Sequence, residues 1–424
     1  MLCVEFRTET IMPGTSQEHI GRRVRVARIA AGLTHSELAG LVGRSTHWVE
    51  DIEAGRLGLD RYSLICAIAD VCDVDGVWLL GQPYRLSREG GAAAHSYFPA
   101  LRTVLRRAGL VLSGHPDLAP TSPLASVDHM RAQAVNVNRA RQRASLSEAA
   151  SVLPGLLEEL NTALLMHDQG FERTASLELM VDAARNARQT LNQLGYPDLA
   201  WTAAEVAASA ATELDDPIAK AAVAWDRCGA MLHHGSARET EAIALAALRN
   251  LEPWVSNGDE SALALQGALT LRHAVACARS GRGGEAWEHS KRALEIADRL
   301  PAGFADLRLQ TVFGRATVQV HAAEIGVEVE DPGKGLSFVK EVNVATVPSR
   351  ERLTHYRIDQ ARALRQMGRT AASVVSLREA AAQAPLYVYA HPMARALVED
   401  LARVGVPTQA AALSGLVRNM ALVA

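Results

Sequence analysis

Apolar residues recur every three or four positions along most of the chain, which is the spacing of amphipathic α-helices. Between residues 19 and 81 the apolar runs are short and are separated by glycines at 32, 43, 55 and 58. From residue 131 to the end, the pattern continues as successive segments of about 15–20 residues, a typical length for globular helices. The pattern predicts an all-α protein, with a compact N-terminal unit of five helices followed by an α-solenoid.

The remaining segments differ in composition. Residues 1–18 are polar and without pattern, so we expect a disordered extension, and either Met1 or Met12 can be the start. Residues 82–130 are rich in proline and contain a glycine pair, which favours a linker holding one short helix around 97–108. Residues 131–424 form the predicted effector and dimerisation domain.

Small residues repeat at helix-pair spacing within this C-terminal domain. One copy comprises Ala274, Gly281, Ala286 and Ala293, and a second comprises Ala361, Gly368, Ala380 and Pro385. Small side chains let paired helices approach closely, and glycine fits the tight turn between them. The spacing resembles degenerate tetratricopeptide repeats, which implies an α-solenoid; an irregular helical bundle is the alternative.

Composition narrows the class of protein. Hydrophobic residues make up 48% of the 424 residues and aromatic residues 4%, and the net charge is −3. Because the chain as a whole is slightly acidic, any basic surface that binds nucleic acid must be confined to one part of it. The five cysteines show no Cys-x-x-Cys spacing, and no apolar run is long enough to span a membrane. We expect a cytoplasmic protein that is not an enzyme, since no catalytic, metal or cofactor motif is present.

Residues 19–81 resemble the XRE-type helix-turn-helix family, typified by phage repressors. The resemblance rests on these residues: Arg28, Gly32, Leu33, Thr34, Leu38, Ala39, Gly43, Ser45, Val49, Ile52, Glu53 and Gly55. Thr34 and Ser45 can cap the second and third helices, and Gly43 suits a turn that needs a positive φ. The resemblance implies an ion pair between Arg28 and Glu53 that fixes helix packing.

The resemblance also implies that the third helix enters the major groove of operator DNA. The residues expected to contact DNA are His35, Arg44, Ser45, Thr46, His47, Glu50 and Arg56. Seven arginines and eight acidic residues give this segment a charge of −1, so few phosphates are neutralised and nonspecific binding should be weak. We therefore expect a homodimer. The alternative is a protein-interaction scaffold whose helix-turn-helix no longer binds DNA.

The combination of such a domain with a helical array resembles the peptide-pheromone regulators and a class of actinobacterial regulators. This implies a transcriptional regulator controlled by a peptide or small molecule in the array. Placing the repeats in register predicts six ligand-binding residues: Trp225, Leu271, Phe313, His355, Arg362 and Arg365. The arginines suit a carboxylate-bearing ligand, although large apolar residues at helical spacing are also typical of a core.

Overall fold

A computed structural model describes residues 19–84, 94–115, 117–233, 235–301, 304, 309–340 and 347–422. Within these ranges the regular secondary structure is entirely helical, which confirms the predicted fold class. The predicted extension at residues 1–18, with Met1 and Met12, lies outside the described residues.

Five short helices form the N-terminal unit. They are α1 (Ile20–Ala30), α2 (His35–Leu41), α3 (Thr46–Glu53), α4 (Tyr62–Cys72) and α5 (Gly76–Leu80). Ile20, Val24 and Ala27 lie on one face of α1, and they pack with Val49 and Ile52 of α3 in a shared core. The helical period of these apolar residues therefore places α3 against α1, with its opposite face outward.

Gly21 sets the distance between α1 and α3. A Cβ atom on Gly21 would lie 1.8 Å from the carbonyl oxygen of Ile52, so no other residue fits without moving a helix. The absence of a side chain at this position lets the two helices touch through their backbones.

The segment predicted to be a linker holds helix α6 (Phe98–Leu112). Phe98, Leu101 and Leu105 are buried in one continuous core with Leu153 and Leu157, which lie farther along the chain. The core of the array therefore begins within residues 82–130.

The array continues through fifteen further α-helices among the described residues. They are α7 (Val127–Gln142), α8 (Leu146–Met166), α9 (Phe171–Gln193), α10 (Pro197–Leu214), α11 (Pro217–His233), α12 (Ala237–Ser256), α13 (Glu260–Arg279), α14 (Gly283–Ala297), α15 (Arg315–Glu328), α16 (Pro332–Val339), α17 (Arg350–Gln366), α18 (Thr370–Gln383), α19 (Pro385–Ala390), α20 (Pro392–Val404) and α21 (Ala410–Asn419). Neighbours in sequence pack against each other, as in a solenoid.

The small residues of the repeat pattern occupy the predicted environments. Ala274, Ala286 and Ala361 are fully buried where helices cross. Gly281 and Gly368 each end a helix with a φ of +75°, which glycine adopts without steric cost. These observations confirm the close-packing role of the small residues, whereas membership of the tetratricopeptide family stays a prediction.

The N-terminal unit packs directly against the array. Met393 of α20 is buried in the core of the five-helix unit. Gly235, at the turn between α11 and α12, approaches Cys66 of α4 so closely that a Cβ atom would lie 2.6 Å from the sulfur. The two parts therefore share a packed boundary rather than a chain connection alone.

Candidate DNA-recognition surface and effector cavity

The turn between α2 and α3 has the local geometry that the sequence predicts. Thr34 and Glu37 form a reciprocal capping box at the start of α2, with the Glu37 amide donating to Thr34 Oγ1 at 3.2 Å. Ser45 Oγ accepts from the Trp48 amide at the start of α3. Gly43 has a φ of +67°. The predicted caps and the predicted glycine turn are all confirmed.

A buried ion pair fixes α3 against α1. The Arg28 guanidinium donates to both carboxylate oxygens of Glu53, with Nη2 2.9 Å from Oε2. Burial raises the pKa of Glu53, but hydrogen bonds from Arg28 and His35 outweigh it and lower the pKa below its ordinary value. The pair predicted from the family resemblance is therefore present.

His35 contacts the Arg28–Glu53 pair and is also partly exposed on the surface of the domain. Its Nε2 lies 3.0 Å from Glu53 Oε2, and its side chain is 38% exposed. The residue can reach a phosphate only from the exposed part of the ring, because the inner nitrogen is committed to Glu53. Its expected contact with DNA stays a prediction.

The N-terminal half of α3 faces outward. Ser45, Thr46 and His47 are exposed, and the His47 side chain retains 77% of its accessible surface. Glu50 lies on the same face, whereas Trp48 is partly buried against the five-helix core. The structure therefore brings the predicted base-contacting residues together on one exposed helical face.

The negative charge of α3 is partly compensated within the domain. Arg56 Nε donates to Asp51 Oδ1 at 2.6 Å, and His47 Nε2 lies 3.4 Å from Asp51 Oδ2. Arg56 therefore lies beside α3 with its Nε used inside the domain, and its expected contact with DNA stays a prediction. Glu50, whose Oε2 lies 3.6 Å from His47 Nδ1, is exposed and can accept from a base.

Arg44 is paired with the array. Its Nη2 donates to Glu330 Oε1 at 2.8 Å, and Nη2 of Arg61 lies 2.6 Å from the same oxygen. Glu330 lies two residues after the end of α15, and its side chain is half exposed. The residue expected to bind phosphate therefore binds a carboxylate of the array in this structure.

Glu328, the last residue of α15, caps α4 of the N-terminal unit. Its Oε2 accepts from the Ser63 hydroxyl at 2.9 Å and from the Ser63 amide at 3.3 Å, while Oε1 accepts from the Tyr62 amide. The N-cap residue of α4, Arg61, supplies no side-chain cap of its own. The array thus satisfies free amides at the start of an N-terminal helix.

Arg362 of α17 reinforces this junction. It donates to the Asp60 carbonyl through Nη2 at 2.7 Å, and the same nitrogen donates to Glu328 at 3.0 Å. Its Nη1 donates to Asp359 at 2.7 Å. One buried guanidinium therefore joins two carboxylates of the array to the backbone of the N-terminal unit.

A polar cavity of about 50 Å³ lies directly behind this junction. Its charged lining comprises Arg141, Arg188, Arg272, Arg279, Arg352, Arg362, Glu324, Glu351 and Asp359. Tyr62 of α4 closes it on the side of the N-terminal unit, with Arg279 Cζ 4.5 Å from the centroid of the tyrosine ring. The volume is enough for about three waters.

Three of the six predicted ligand residues line this cavity: Trp225, His355 and Arg362. Leu271 and Phe313 lie beside it, in a small neighbouring pocket that also includes Trp225. Phe313 packs over Gly267, where a Cβ atom would lie 2.0 Å from the ring, so it is also a core residue.

Arg365 does not line the cavity, and its Nε donates to Asp400 at 2.6 Å.

Sequence analysis missed several residues of the cavity, including Arg272, Arg352 and His321. His321 Nδ1 donates to the Thr317 carbonyl at 2.8 Å, so Nε2 accepts from Arg352 Nη1 at 3.2 Å. Burial and the nearby Arg352 lower the pKa of His321 to about 3, which keeps the ring neutral.

Two groups of described side chains are spaced closely enough to hold a metal ion. One comprises Glu324, His355 and Asp359 in the cavity, and the other His273, Cys277 and His289. In the second group, His273 Nε2 lies 3.1 Å from Glu241. Burial raises the pKa of the Cys277 thiol to about 11, so it is protonated at neutral pH without a metal.

Comparison with known proteins identifies the N-terminal unit. A family model described as "Helix-turn-helix domain" matches residues 19–78. The solved structure of Bacillus thuringiensis PlcR in complex with the peptide PapR7 and DNA aligns over 84% of this chain and 99% of that chain, at 11% identity and a TM-score of 0.31. No protein of curated function is significantly similar in sequence. No helix among the described residues has the length and apolarity of a membrane span.

Proposed function

We propose that the chain is a sequence-specific DNA-binding transcriptional regulator, and that a peptide or small molecule held by the helical array controls it. The exposed N-terminal half of α3, with Thr46 and His47 outward in a helix-turn-helix domain, is the observation that carries this proposal. Hydroxyl and imidazole groups at the start of a recognition helix can hydrogen-bond base edges in the major groove.

Arg44, Arg56 and His35 surround this face and would bind phosphates. Such contacts orient the domain on the duplex without specifying its sequence. Because Arg44 is paired with Glu330 in the docked arrangement, binding DNA through Arg44 requires that pair to open. The docked arrangement therefore corresponds to a form with lower affinity for DNA.

Helices α15 and α17 connect the cavity to this surface. Along α15, His321 and Glu324 line the cavity, and Glu328 caps α4 one turn farther on. On α17, Arg362 lines the cavity and also binds the Asp60 carbonyl. A ligand that moves these side chains changes the contacts that hold the helix-turn-helix domain, which is the physical basis for effector control.

We expect a homodimer on DNA, because the charge of −1 across residues 19–81 gives one copy little electrostatic affinity. Two linked copies would bind half-sites about one helical turn, roughly 34 Å, apart. Sedimentation of the full chain with and without DNA tests this expectation.

DNA selected from a random library by the full chain supplies the target for the main test. Replacing both Thr46→Ala and His47→Ala should reduce affinity for the selected sequence by at least about tenfold, because each good base contact is worth about 1–3 kcal/mol. Affinity for random DNA should change little. Fluorescence anisotropy across a salt series measures both affinities.

Thr121→Ala with His129→Ala is the matched control, since both residues are exposed in the array. The control should bind the selected DNA as the unaltered chain does. Equal affinity of the α3 variant and the control would remove the role assigned to α3. Failure of the library to enrich any sequence would favour the interaction scaffold instead.

A further inference from the structure

Each carboxylate of the cavity already accepts a hydrogen bond from the array, and for two of the three the donor is an arginine. Glu324 accepts from Arg279 at 3.0 Å, and Asp359 accepts from Arg362 at 2.7 Å. Glu351 accepts from the Tyr387 hydroxyl at 2.9 Å. Glu324 and Asp359 are therefore paired with arginines, whereas Oε2 of Glu351 is buried without a hydrogen-bond donor among the described residues and lies 3.9 Å from Arg141 Nη1.

Two arginines of the cavity have no such partner. Among the described residues, Arg272 makes no hydrogen bond or ion pair, and its Nε is buried without an acceptor. Its guanidinium lies 4.5 Å from the centroid of the Trp225 ring. Arg352 donates from its side chain only to the neutral His321, and its Nε is also buried without an acceptor.

A third arginine faces the same space. Arg188 uses Nε and Nη2 for the buried Asp226, with Nε 3.0 Å from Oδ1. Its Nη1 lies 3.0 Å from the position that a Cβ atom would take on Gly229, and Nη2 of Arg272 lies 3.1 Å from that same position. The glycine thus leaves room for two guanidinium groups to converge.

Converging guanidinium groups without acceptors are unfavourable in a protein interior, since buried charges are normally paired. Burial, together with the nearby Arg352 and Arg188, lowers the pKa of Arg272 to about 10, which still leaves it charged at neutral pH. Of the six arginines in the lining, four lie within 4.0 Å of a carboxylate of the described residues, whereas Arg272 and Arg352 do not. The unmet requirement is therefore for negative charge with several acceptor oxygens.

We infer that the cavity binds an oxyanion, a carboxylate or phosphate group of the effector, between Arg188, Arg272 and Arg352 and beside Trp225. Arg272 can donate two parallel hydrogen bonds to such a group, whereas Arg188 has only Nη1 left for it because its Nε and Nη2 bind Asp226. A volume of about 50 Å³ suits one charged group in place of a few waters. This inference rests on the proposed effector control and specifies the chemistry of the ligand.

Thermal unfolding of the full chain tests the inference with three probes at matched ionic strength: inorganic phosphate, succinate and chloride. Phosphate or succinate should raise the Tm by about 2 °C or more relative to chloride at about ten times its Kd. The larger of the two shifts identifies the group as phosphate or carboxylate. Absence of a shift with both probes overturns the inference.

The variant Arg272→Gln should lose this shift. Without added anion its Tm should equal or exceed that of the unaltered chain, because an unpaired buried charge has been removed. A merely structural arginine would instead give a lower Tm and leave the anion response intact. Arg378→Gln, which alters an exposed arginine, is the matched control and should retain the shift.

If Arg272→Gln does not fold, Arg352→Gln and equilibrium dialysis of radiolabelled phosphate against the unaltered chain replace it. Saturable retention of phosphate that Arg352→Gln abolishes supports the inference, and retention unchanged in that variant overturns it. Arg44→Gln must keep the shift, which excludes phosphate bound at the DNA surface. A chain that binds the anion but selects no DNA would contradict the proposed function and leave the anion site standing.

Discussion

Replacing Glu330 by glutamine should increase the affinity of the chain for DNA. Glu330 is the carboxylate of the array that binds both Arg44 and Arg61, at 2.8 and 2.6 Å. Glutamine keeps the size of the side chain and removes its charge. Arg44 is then free to bind phosphate without first giving up an ion pair.

The magnitude follows from the exposure of the pair. Glu330 is 56% exposed and Arg44 30% exposed, so the Arg44–Glu330 pair is in the class of surface ion pairs worth about 0.2–1 kcal/mol. Since 1.4 kcal/mol corresponds to a factor of ten, the gain in affinity is up to about fivefold. High salt should reduce the gain, because it screens the pair in the unaltered chain.

Fluorescence anisotropy with the selected DNA resolves such a change. Asp331→Asn is the matched control, because it removes one charge from the adjacent residue and asparagine can still cap α16, as Asp331 does through the Lys334 amide. In an Arg44→Gln background, Glu330→Gln should give no gain. An affinity equal to that of the unaltered chain, or an equal gain in Asp331→Asn, would refute the reasoning.

Two further predictions concern stability. Gly21→Ala should lower the free energy of unfolding by at least about 1–3 kcal/mol and abolish DNA binding, because its Cβ atom would lie 1.8 Å from the Ile52 carbonyl oxygen. Gly40→Ala is the control: its Cβ atom would meet no atom within 4 Å, so the Tm should be unchanged or higher. Asp226→Asn should lower the free energy of unfolding by about 3–5 kcal/mol, because it leaves two buried guanidinium groups uncompensated. Asp215→Asn alters an exposed residue and should change the free energy of unfolding little. Burial raises the pKa of Asp226, but its arginines outweigh this and lower it below the ordinary 3.8. Its contribution is therefore fully present above pH 3.8 and is lost progressively as the pH falls from there through the lower pKa of the folded chain, so the Tm difference between Asp226→Asn and the unaltered chain should shrink over that range.

Local features of the domain could be predicted from sequence because their causes lie within a few residues. Thr34 and Ser45 cap the helices that they precede, and Gly43 adopts its positive φ within one turn. The buried alanines of the array were also predictable, since their spacing matches helix crossings.

Features that depend on distant contacts could not be predicted. Gly21 resembles any glycine in a helix until Ile52 is placed against it. Glu330 binds Arg44 across 286 residues, and neither side chain has a sequence signature for the other. Arg272 was missed for the same reason, because only the folded array shows that no carboxylate accompanies it.

The partners of the arginines differ between the acidic helix-turn-helix domain and the cavity of the array. In the N-terminal domain, Arg28, Arg56 and Arg61 pair with carboxylates, which leaves little free positive charge beside α3. In the array, Arg272 and Arg352 remain without carboxylate partners in the cavity. The proposed effector site therefore holds two buried arginines without a carboxylate of the described residues within 4.0 Å, whereas Arg44 and Arg56 beside α3 are paired, so DNA binding through these two residues requires their ion pairs to open.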